Sequence, residues 1–278
     1  MRIHRIKTNG IDLNVACAGP DDGPLVILLH GFPEFWYAWR SQIPVLAAAG
    51  RRVMAPDLRG YNLSDKPLGI SAYRSDVLVN DVVGLIDSAK REKATIVGHD
   101  WGGAVAWAVA MSYPGRVEKL VVLNCGHPSA MMKRVRADRR QMARSWYIFA
   151  FQLPWLPELL ARANGFRLLV HAMRGSSRAG TFPDAVIAEY RKAWSQRGAL
   201  TAMINYYRAA LRRRAPKTPR RVMVPTQLVW GTGDVFLGRE LAEDSLAYCD
   251  SGRVAYLDAS HWVQHELPDT VTELIAGG

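Results

Sequence analysis

The chain has 278 residues, 49% of them hydrophobic, and a formal net charge of +11 at pH 7. This length and apolar content allow one large hydrophobic core with room for an inserted subdomain. No apolar run approaches the roughly 18 residues that a membrane-spanning helix needs, and the first residues lack the apolar segment of a secretory signal. We therefore expect a cytoplasmic protein without stable insertion into a membrane.

Three cysteines, Cys17, Cys125 and Cys249, lie far apart in the chain. An odd number at such spacing predicts neither a disulfide framework nor a zinc site, and it is typical of a reducing compartment. We interpret the three as core residues and expect no metal.

The opening segment alternates loosely and carries the turn dipeptide Asn9-Gly10, which predicts a hairpin. Continuous apolar runs then predict strands that are buried on both faces, at residues 25–31, 52–60, 94–100, 119–126, 226–234 and 253–260. Helical patterns lie between several of these runs, at residues 76–89, 101–112 and 267–275. This alternation predicts a mostly parallel sheet with helices on both faces.

The alternation stops at residues 128–221, where good helix formers predict helices only. We expect this segment to form a helical cap inserted into a core that is made by residues 1–127 and 222–278. The segment carries 20 Lys and Arg against 4 Asp and Glu, a net charge of +16. Such an excess fits either a patch for nucleic acid or anionic membranes, or solvated helix faces. We favour solvated helix faces and expect no nucleic-acid partner.

The run at 94–100 ends at an acid between glycines, in Gly98-His99-Asp100-Trp101-Gly102. This is a G-x-D-x-G form of the nucleophile elbow, a tight turn that brings a side chain to the carboxyl edge of the sheet. A carboxylate is charged at neutral pH and attacks without a base, which suits a strained ring or an sp3 carbon with a leaving group. The alternative is that Asp100 only caps the helix that begins at Trp101.

Two later strand ends supply catalytic partners in the chain order nucleophile, acid, histidine. Asp234 follows one buried strand and His261 follows the last one. His261 would take a proton from water, and Asp234 would hold the imidazole in one tautomer. His265 is the alternative base, but we expect it on the following helix, further from the strand end.

Another strand end, in the sequence LLHGFPEFWYAWR, predicts an oxyanion hole. Gly31 allows close backbone approach, and the backbone N–H of Phe32 is one expected donor. The backbone N–H of Trp101, at the start of the helix after the elbow, is the second.

The blocks HGFPEFWYAWR, DLRGYNLSDKP, GHDWGG, GTGD and SHWVQHELP, in this order, resemble the α/β-hydrolase fold family, specifically its epoxide hydrolase branch. The resemblance covers nearly the whole chain. It implies an α/β-hydrolase fold with a helical cap, a cis Phe32-Pro33 bond and catalysis without a cofactor. It also implies that a small lipophilic epoxide is opened to a vicinal diol through an ester on Asp100.

The same resemblance implies two cap tyrosines that hydrogen-bond to the epoxide oxygen. Tyr147 falls at the first position, and both Tyr206 and Tyr207 fall near the second. We choose Tyr207, because the tyrosine directly before Arg208 matches better. The aromatic side chains that favour a lipophilic substrate, each of which could equally belong to the core, are Trp36, Trp146, Phe149 and Trp262.

Two other functions stay open. A dehalogenase would use the same Asp100, with Trp101 as one candidate halide donor. Fluoroacetate dehalogenases share the HGFP block, but they usually carry an arginine after the nucleophile and a His-Trp pair in the cap, where this chain has Trp101 and Ser145-Trp146. A hydrolase fold that only binds a ligand or nucleic acid is the alternative from another class. The sequence leaves the oligomeric state open and is compatible with a homodimer.

Overall fold

The computed structural model describes residues 1–212 and 221–277. Its central sheet has eight strands in the order β1-β2-β4-β3-β5-β6-β7-β8. The pairs β1–β2 and β2–β4 are antiparallel, and the pairs from β4 to β8 are parallel. The strands are β1 (Arg2–Thr8), β2 (Ile11–Ala18), β3 (Leu25–Leu29), β4 (Arg52–Pro56), β5 (Ala94–His99), β6 (Val117–Leu123), β7 (Thr226–Gly231) and β8 (Gly252–Leu257).

Helices cover both faces of this sheet, as the alternating pattern predicts. They are α1 (Gln42–Ala48), α2 (Ser75–Ser88), α3 (Trp101–Ser112), α10 (Glu240–Leu246), α11 (Val263–Glu266) and α12 (Pro268–Ala276). In β3 every residue is buried. Ile27 and Leu29 join the apolar cluster that includes α2 and α3, whereas Val26 and Leu28 join the cluster that includes α1 and α12. A strand with apolar neighbours on both faces is therefore a continuous apolar run.

The helices between β6 and β7 form the cap. They are α4 (Pro128–Ala137), α5 (Arg139–Arg144), α6 (Trp146–Ala150), α7 (Leu156–Gly175), α8 (Asp184–Trp194) and α9 (Ala199–Leu211). An extended residue, Ala163, and a left-handed turn at residues 164–166 break α7 into two helices. The first cap helix begins at Pro128, where the sequence predicts the cap to start. Residues 213–220, most of the basic stretch before the predicted end of the cap at residue 221, lie outside the described residues.

Buried hydrogen bonds fix the cap over the carboxyl edge of the sheet. The Trp194 indole donates to the carbonyl of Pro33 at 2.6 Å, and the Tyr206 hydroxyl donates to the carbonyl of Arg59 at 2.8 Å. The Tyr190 hydroxyl donates to Glu34 at 2.8 Å. These contacts place the inner side of the cap directly above the strand ends that carry the predicted catalytic residues.

Two further expectations concern the backbone and the helices. The Phe32-Pro33 bond is cis, as the family resemblance implies. Within residues 1–212 and 221–277, none of the helices has the length and apolar character to cross a bilayer.

Candidate active site

Asp100 occupies the sharp turn between β5 and α3. Its backbone has φ +50° and ψ −118°, a left-handed conformation that a non-glycine residue adopts only where the surroundings enforce it. A Cβ on Gly98 would lie 2.3 Å from the carbonyl oxygen of Gly102, so only glycine fits there. The Asp100 side chain makes no capping hydrogen bond to α3. The helix-cap interpretation of this acid is therefore wrong, and the strained turn serves to present the carboxylate.

The two carboxylate oxygens of Asp100 face different groups. Oδ1 accepts a hydrogen bond from the backbone N–H of Phe32 at 2.9 Å. This approach requires Gly31, because a Cβ there would lie 2.5 Å from the Cβ of Asp100. Oδ2 lies 3.7 Å from Nε2 of His261, too far for a direct hydrogen bond. One oxygen is thus held by the backbone, and the other faces the imidazole.

His261 and Asp234 form a tight buried pair, with 2.7 Å between Nδ1 and Oδ2. The other oxygen of Asp234 accepts the backbone N–H groups of Phe236 and Leu237, at 2.7 and 3.0 Å. Burial opposes the charged form of Asp234, but the His261 charge and these hydrogen bonds hold its pKa below the usual range. Burial likewise opposes charge on His261, but Asp234 and then Asp100 raise its pKa to about 9. Nε2 is left facing Asp100.

Sequence reasoning missed Asn124, which comes directly after β6. Its amide nitrogen donates to Oδ2 of Asp234 at 2.7 Å, and its amide oxygen accepts the backbone N–H of Gly231 at 3.0 Å. Asn124 is fully buried, with φ +43°. A signal was available, because Asn124 is a polar residue at the end of a buried strand, as are Asp100 and Asp234.

A second missed group lies behind His261. His99 donates from Nε2 to the carbonyl of His261 at 2.9 Å, and its Nδ1 lies 3.2 Å from Glu34. Burial opposes the charge of Glu34, yet the imidazoles of His265 and His99 hold its pKa below the usual range. Nε2 of His265 lies 2.6 Å from Glu34. The alternative base His265 is thus occupied in a network beside the site, and His261 is the imidazole that faces Asp100.

The two predicted cap tyrosines meet above Asp100. The rings of Tyr147 and Tyr207 are 5.9 Å apart, and Tyr207 also packs edge-on against Phe32 and Trp101, at 5.3 and 4.9 Å. Burial and the negative charge of Asp100 raise the pKa of both hydroxyls. The hydroxyl of Tyr206 instead donates to the carbonyl of Arg59. Tyr207, rather than Tyr206, therefore accompanies Tyr147.

The remaining predicted residues fall in different places. The backbone N–H of Trp101, at the first position of α3, has no acceptor within the helix. Trp262 is buried, packs 5.2 Å from the His261 ring and donates to Ser176 of the cap at 2.9 Å. Trp36 is half-buried, and its backbone N–H donates to Asp57 at 3.0 Å.

Trp146 and Phe149 lie on α6 with Tyr147, but their side chains are 66% and 54% exposed. Neither ring contacts an aromatic ring of the described site. Their role as substrate-binding residues stays a prediction. The structure places both on the outer side of the cap. In the described part of the chain, no three His, Cys, Asp or Glu side chains are arranged to hold a metal.

An imidazole with one nitrogen on a buried carboxylate and the other facing a second carboxylate is suited to activating water. The backbone N–H of Phe32, at the adjacent strand end, already donates to the second carboxylate, that of Asp100. The fold and this arrangement define a hydrolase.

Comparisons with known proteins agree with that class. A family model described as alpha/beta hydrolase fold matches residues 24–268. The chain therefore belongs to the α/β-hydrolase family, and the following relatives put it in the epoxide hydrolase branch. It is 39% identical over 280 residues to epoxide hydrolase 4 of Homo sapiens, covering 98% of this chain and 76% of that protein. A crystal structure of Bacillus megaterium epoxide hydrolase in complex with an inhibitor matches with a TM-score of 0.89 at 33% identity, covering 98% of both chains.

Another relative is named for the superfamily alone. The AB hydrolase superfamily protein YfhM of Bacillus subtilis is 48% identical over 271 residues, covering 97% of this chain and 95% of that protein.

Proposed function

We propose that this protein hydrolyses small lipophilic epoxides to vicinal diols through an ester between the substrate and Asp100. The observation that carries the proposal is the placement of two tyrosines, Tyr147 and Tyr207, over a carboxylate that also faces His261. The names of the relatives in the epoxide hydrolase branch support the same substrate class. No step requires a cofactor.

In the first step, Oδ2 of Asp100 attacks one carbon of the epoxide. A carbon–oxygen bond forms as the ring carbon–oxygen bond breaks, and the ring oxygen takes the electron pair and a proton from a tyrosine. Burial and Asp100 raise the pKa of both tyrosines, so they carry the proton at neutral pH. Proton donation by a positioned group contributes about 100- to 10,000-fold in rate.

In the second step, water attacks the ester carbonyl while His261 takes its proton. Ester formation removes the negative charge of Asp100, one of the groups that raise the pKa of His261. The pKa of His261 thus falls once the ester exists, so a larger fraction of the imidazole is neutral and free to take the proton of water, while Asp234 stabilises the imidazolium that forms. The alcohol oxygen of the ester then leaves with the proton from His261, and the remaining proton of the attacking water returns to the tyrosinate. These transfers release the diol and restore both the Asp100 carboxylate and the tyrosine.

The oxyanion of the second step develops on Oδ1. In the free protein this atom already accepts the backbone N–H of Phe32 at 2.9 Å, and Trp101 begins the adjacent helix. A donor that is in place before the reaction needs no reorganisation, and each such donor contributes about 3–4 kcal/mol to lowering the barrier.

Incubation of the purified protein with styrene oxide tests the proposal, with Asp100→Ala as the control. We expect phenylethanediol from the wild type and none above background from the variant. Halide release from haloalkanes or fluoroacetate without any diol formation would identify a dehalogenase instead. No turnover across a panel of epoxides and haloalkanes would favour a protein that only binds ligands.

We further propose that the protein works in a reducing cytoplasm. Cys17, Cys125 and Cys249 are all free thiols, which supports this location.

A further inference from the structure

The outer side of the cap exposes large apolar side chains that take part in neither step of the proposed mechanism. They come from α6, the turn after it and the start of α7: Trp146, Phe149, Leu153, Trp155, Leu159 and Leu160. Trp155 is 69% exposed and Leu159 is 58% exposed. Single exposed apolar residues are ordinary, but a group of six within 15 consecutive residues marks an interaction surface. We call these six residues the cap outer surface.

Contacts on the opposite side show that this surface faces away from the core. Tyr147 packs against Tyr207 of α9. Arg208, also on α9, donates to the backbone carbonyls of Phe151 and Leu153, at 3.0 and 2.6 Å. Because α9 holds this segment from the inside, the exposed rings and leucines lie on its outer side. One helix, α6, thus carries a site tyrosine inward and Trp146 and Phe149 outward.

The same part of the chain is strongly cationic. Five arginines lie within residues 139–167, and none of them forms an ion pair with a described residue: Arg139, Arg140, Arg144, Arg162 and Arg167. The single acid in that range, Glu158, is already paired with Arg208 at 2.6 Å. The cap outer surface is therefore flanked along the chain by an excess of positive charge, since Asp138, the acid directly before Arg139, offsets only one of the five arginines.

This charge selects among the partners that an apolar surface could take. A second copy docked face to face would bring two sets of unpaired arginines together with far fewer acids than arginines between them, which opposes a dimer through this surface. Nucleic acid would use the arginines but not exposed leucines on a cap. A bilayer with anionic headgroups matches both features, because indoles and leucines enter the boundary region while arginines reach the headgroups.

We propose that the cap outer surface docks on membranes that contain anionic lipids. The protein lies on the bilayer and does not span it. An open cleft of about 420 Å3 adjoins the surface and gives room for a headgroup. Its lining includes Trp155, Arg212 and Glu158, and the charge of Glu158 is offset by its ion pair with Arg208. Because Tyr147 lies on the inner side of the same short helix, docking brings the site close to a phase in which lipophilic molecules dissolve.

Vesicle flotation with the full chain tests this proposal. We expect binding to vesicles of phosphatidylglycerol and phosphatidylcholine in equal amounts, weakening as salt increases, and little binding to phosphatidylcholine alone. The charge variant Arg139→Gln/Arg140→Gln should bind roughly thirtyfold more weakly, since each basic residue contributes about fivefold. The matched control is Lys90→Gln/Lys93→Gln, which removes two exposed unpaired lysines from the sheet domain, outside the cap. This variant should bind as the wild type does.

A second pair of variants tests the apolar contribution. Trp155→Ser/Leu159→Ser should lose at least roughly tenfold in vesicle affinity. The matched control is Ile3→Ser/Val45→Ser, which changes two half-exposed apolar residues of the sheet domain, outside the cap. This control should keep the vesicle affinity of the wild type. Circular dichroism and thermal unfolding establish that each variant is folded. Vesicle binding is measured without any epoxide, so this test is independent of the proposed function.

Several outcomes would overturn docking on anionic lipid. They are equal binding to both kinds of vesicle, no binding of the wild type, or unchanged binding in either cap variant. Conversion of a dimer to a monomer by Trp155→Ser/Leu159→Ser in sedimentation would show that the surface joins two copies. Retention of duplex DNA at physiological salt that survives this variant but not the arginine variant would identify a nucleic-acid surface.

Discussion

The two halves of the site are built differently. On the sheet side, hydrogen bonds fix charged groups: Asp234 accepts from His261, Asn124 and two backbone N–H groups, and Asp100 accepts from Phe32. On the cap side, edge-to-face ring contacts surround Tyr147 and Tyr207. An unpaired buried charge costs far more free energy than an unpaired hydroxyl, so the carboxylates need several fixed donors, whereas the tyrosine rings are positioned largely by packing. The sheet side is thus suited to ester hydrolysis, and the cap side to ring opening.

The largest expected effect comes from Asp100, the proposed nucleophile on the sheet side. Asp100→Ala removes the atom that bonds to the substrate, so diol formation should fall by at least about 10,000-fold. Steady-state assays with styrene oxide measure the loss, and thermal unfolding checks the fold. Retention of more than a few per cent of the activity would mean that water attacks the epoxide directly.

Removal of the cap hydroxyls should affect only the first step. Tyr147→Phe and Tyr207→Phe should each slow ester formation by about 100-fold and leave ester hydrolysis unchanged, since the proton donor acts on the ring oxygen alone. Quenched-flow single turnovers separate the two steps. The matched control is Tyr206→Phe, the neighbouring residue, whose hydroxyl bonds to Arg59. Equal slowing by all three variants would assign the effect to cap packing.

The pH dependence should also separate the two sides. In the free protein Asp234 and Asp100 raise the pKa of His261 to about 9, and loss of the Asp100 charge in the ester lowers it. Ester hydrolysis needs neutral His261, so its rate should rise with pH through a pKa below that of the free protein and then level off. Ester formation does not need neutral His261, and we expect it to be nearly flat across neutral pH. Single-turnover rates against pH measure both, and hydrolysis that slows as pH rises would contradict the role of His261.

The smallest expected effect concerns Asn124. Asn124→Gly keeps the left-handed backbone but leaves the Gly231 N–H and one Asp234 contact unsatisfied, which should cost about 2–3 kcal/mol in the free energy of unfolding. Asn62→Gly is a matched control, because Asn62 has φ +40° and donates to the buried carboxylate of Asp57 at 2.9 Å. Both should lose stability in urea, and Asn124→Gly alone should shift the pH profile of ester hydrolysis.

Much of the sheet side was predictable because its signals are local. Strands buried on both faces are continuous apolar runs, and the glycines around Asp100 mark a turn that excludes side chains. Glu34 and His99 were missed because their contacts are with partners far along the chain: the His261 carbonyl that His99 contacts lies 162 positions after it. A single strand end does not reveal such a pairing.

The cap was less predictable than the sheet. Its helices were expected, but α6 has only five residues, too few for a periodic pattern to assign its faces. The sequence alone therefore could not separate the inward Tyr147 from the outward Trp146 and Phe149. The choice of Tyr207 over Tyr206 came from the family resemblance, since both are buried on one helix and only the direction of each hydroxyl distinguishes them.

Mass spectrometry of His261→Gln after exposure to an epoxide tests the central claim most directly. Without the base, the ester should form but not hydrolyse, so the intact mass should increase by that of the epoxide and peptide mapping should place the increase on Asp100. His265→Gln is the control, because His265 is also buried but contacts Glu34 instead of facing Asp100, and it should accumulate no adduct. An unmodified His261→Gln protein that still binds the epoxide would contradict covalent catalysis by Asp100.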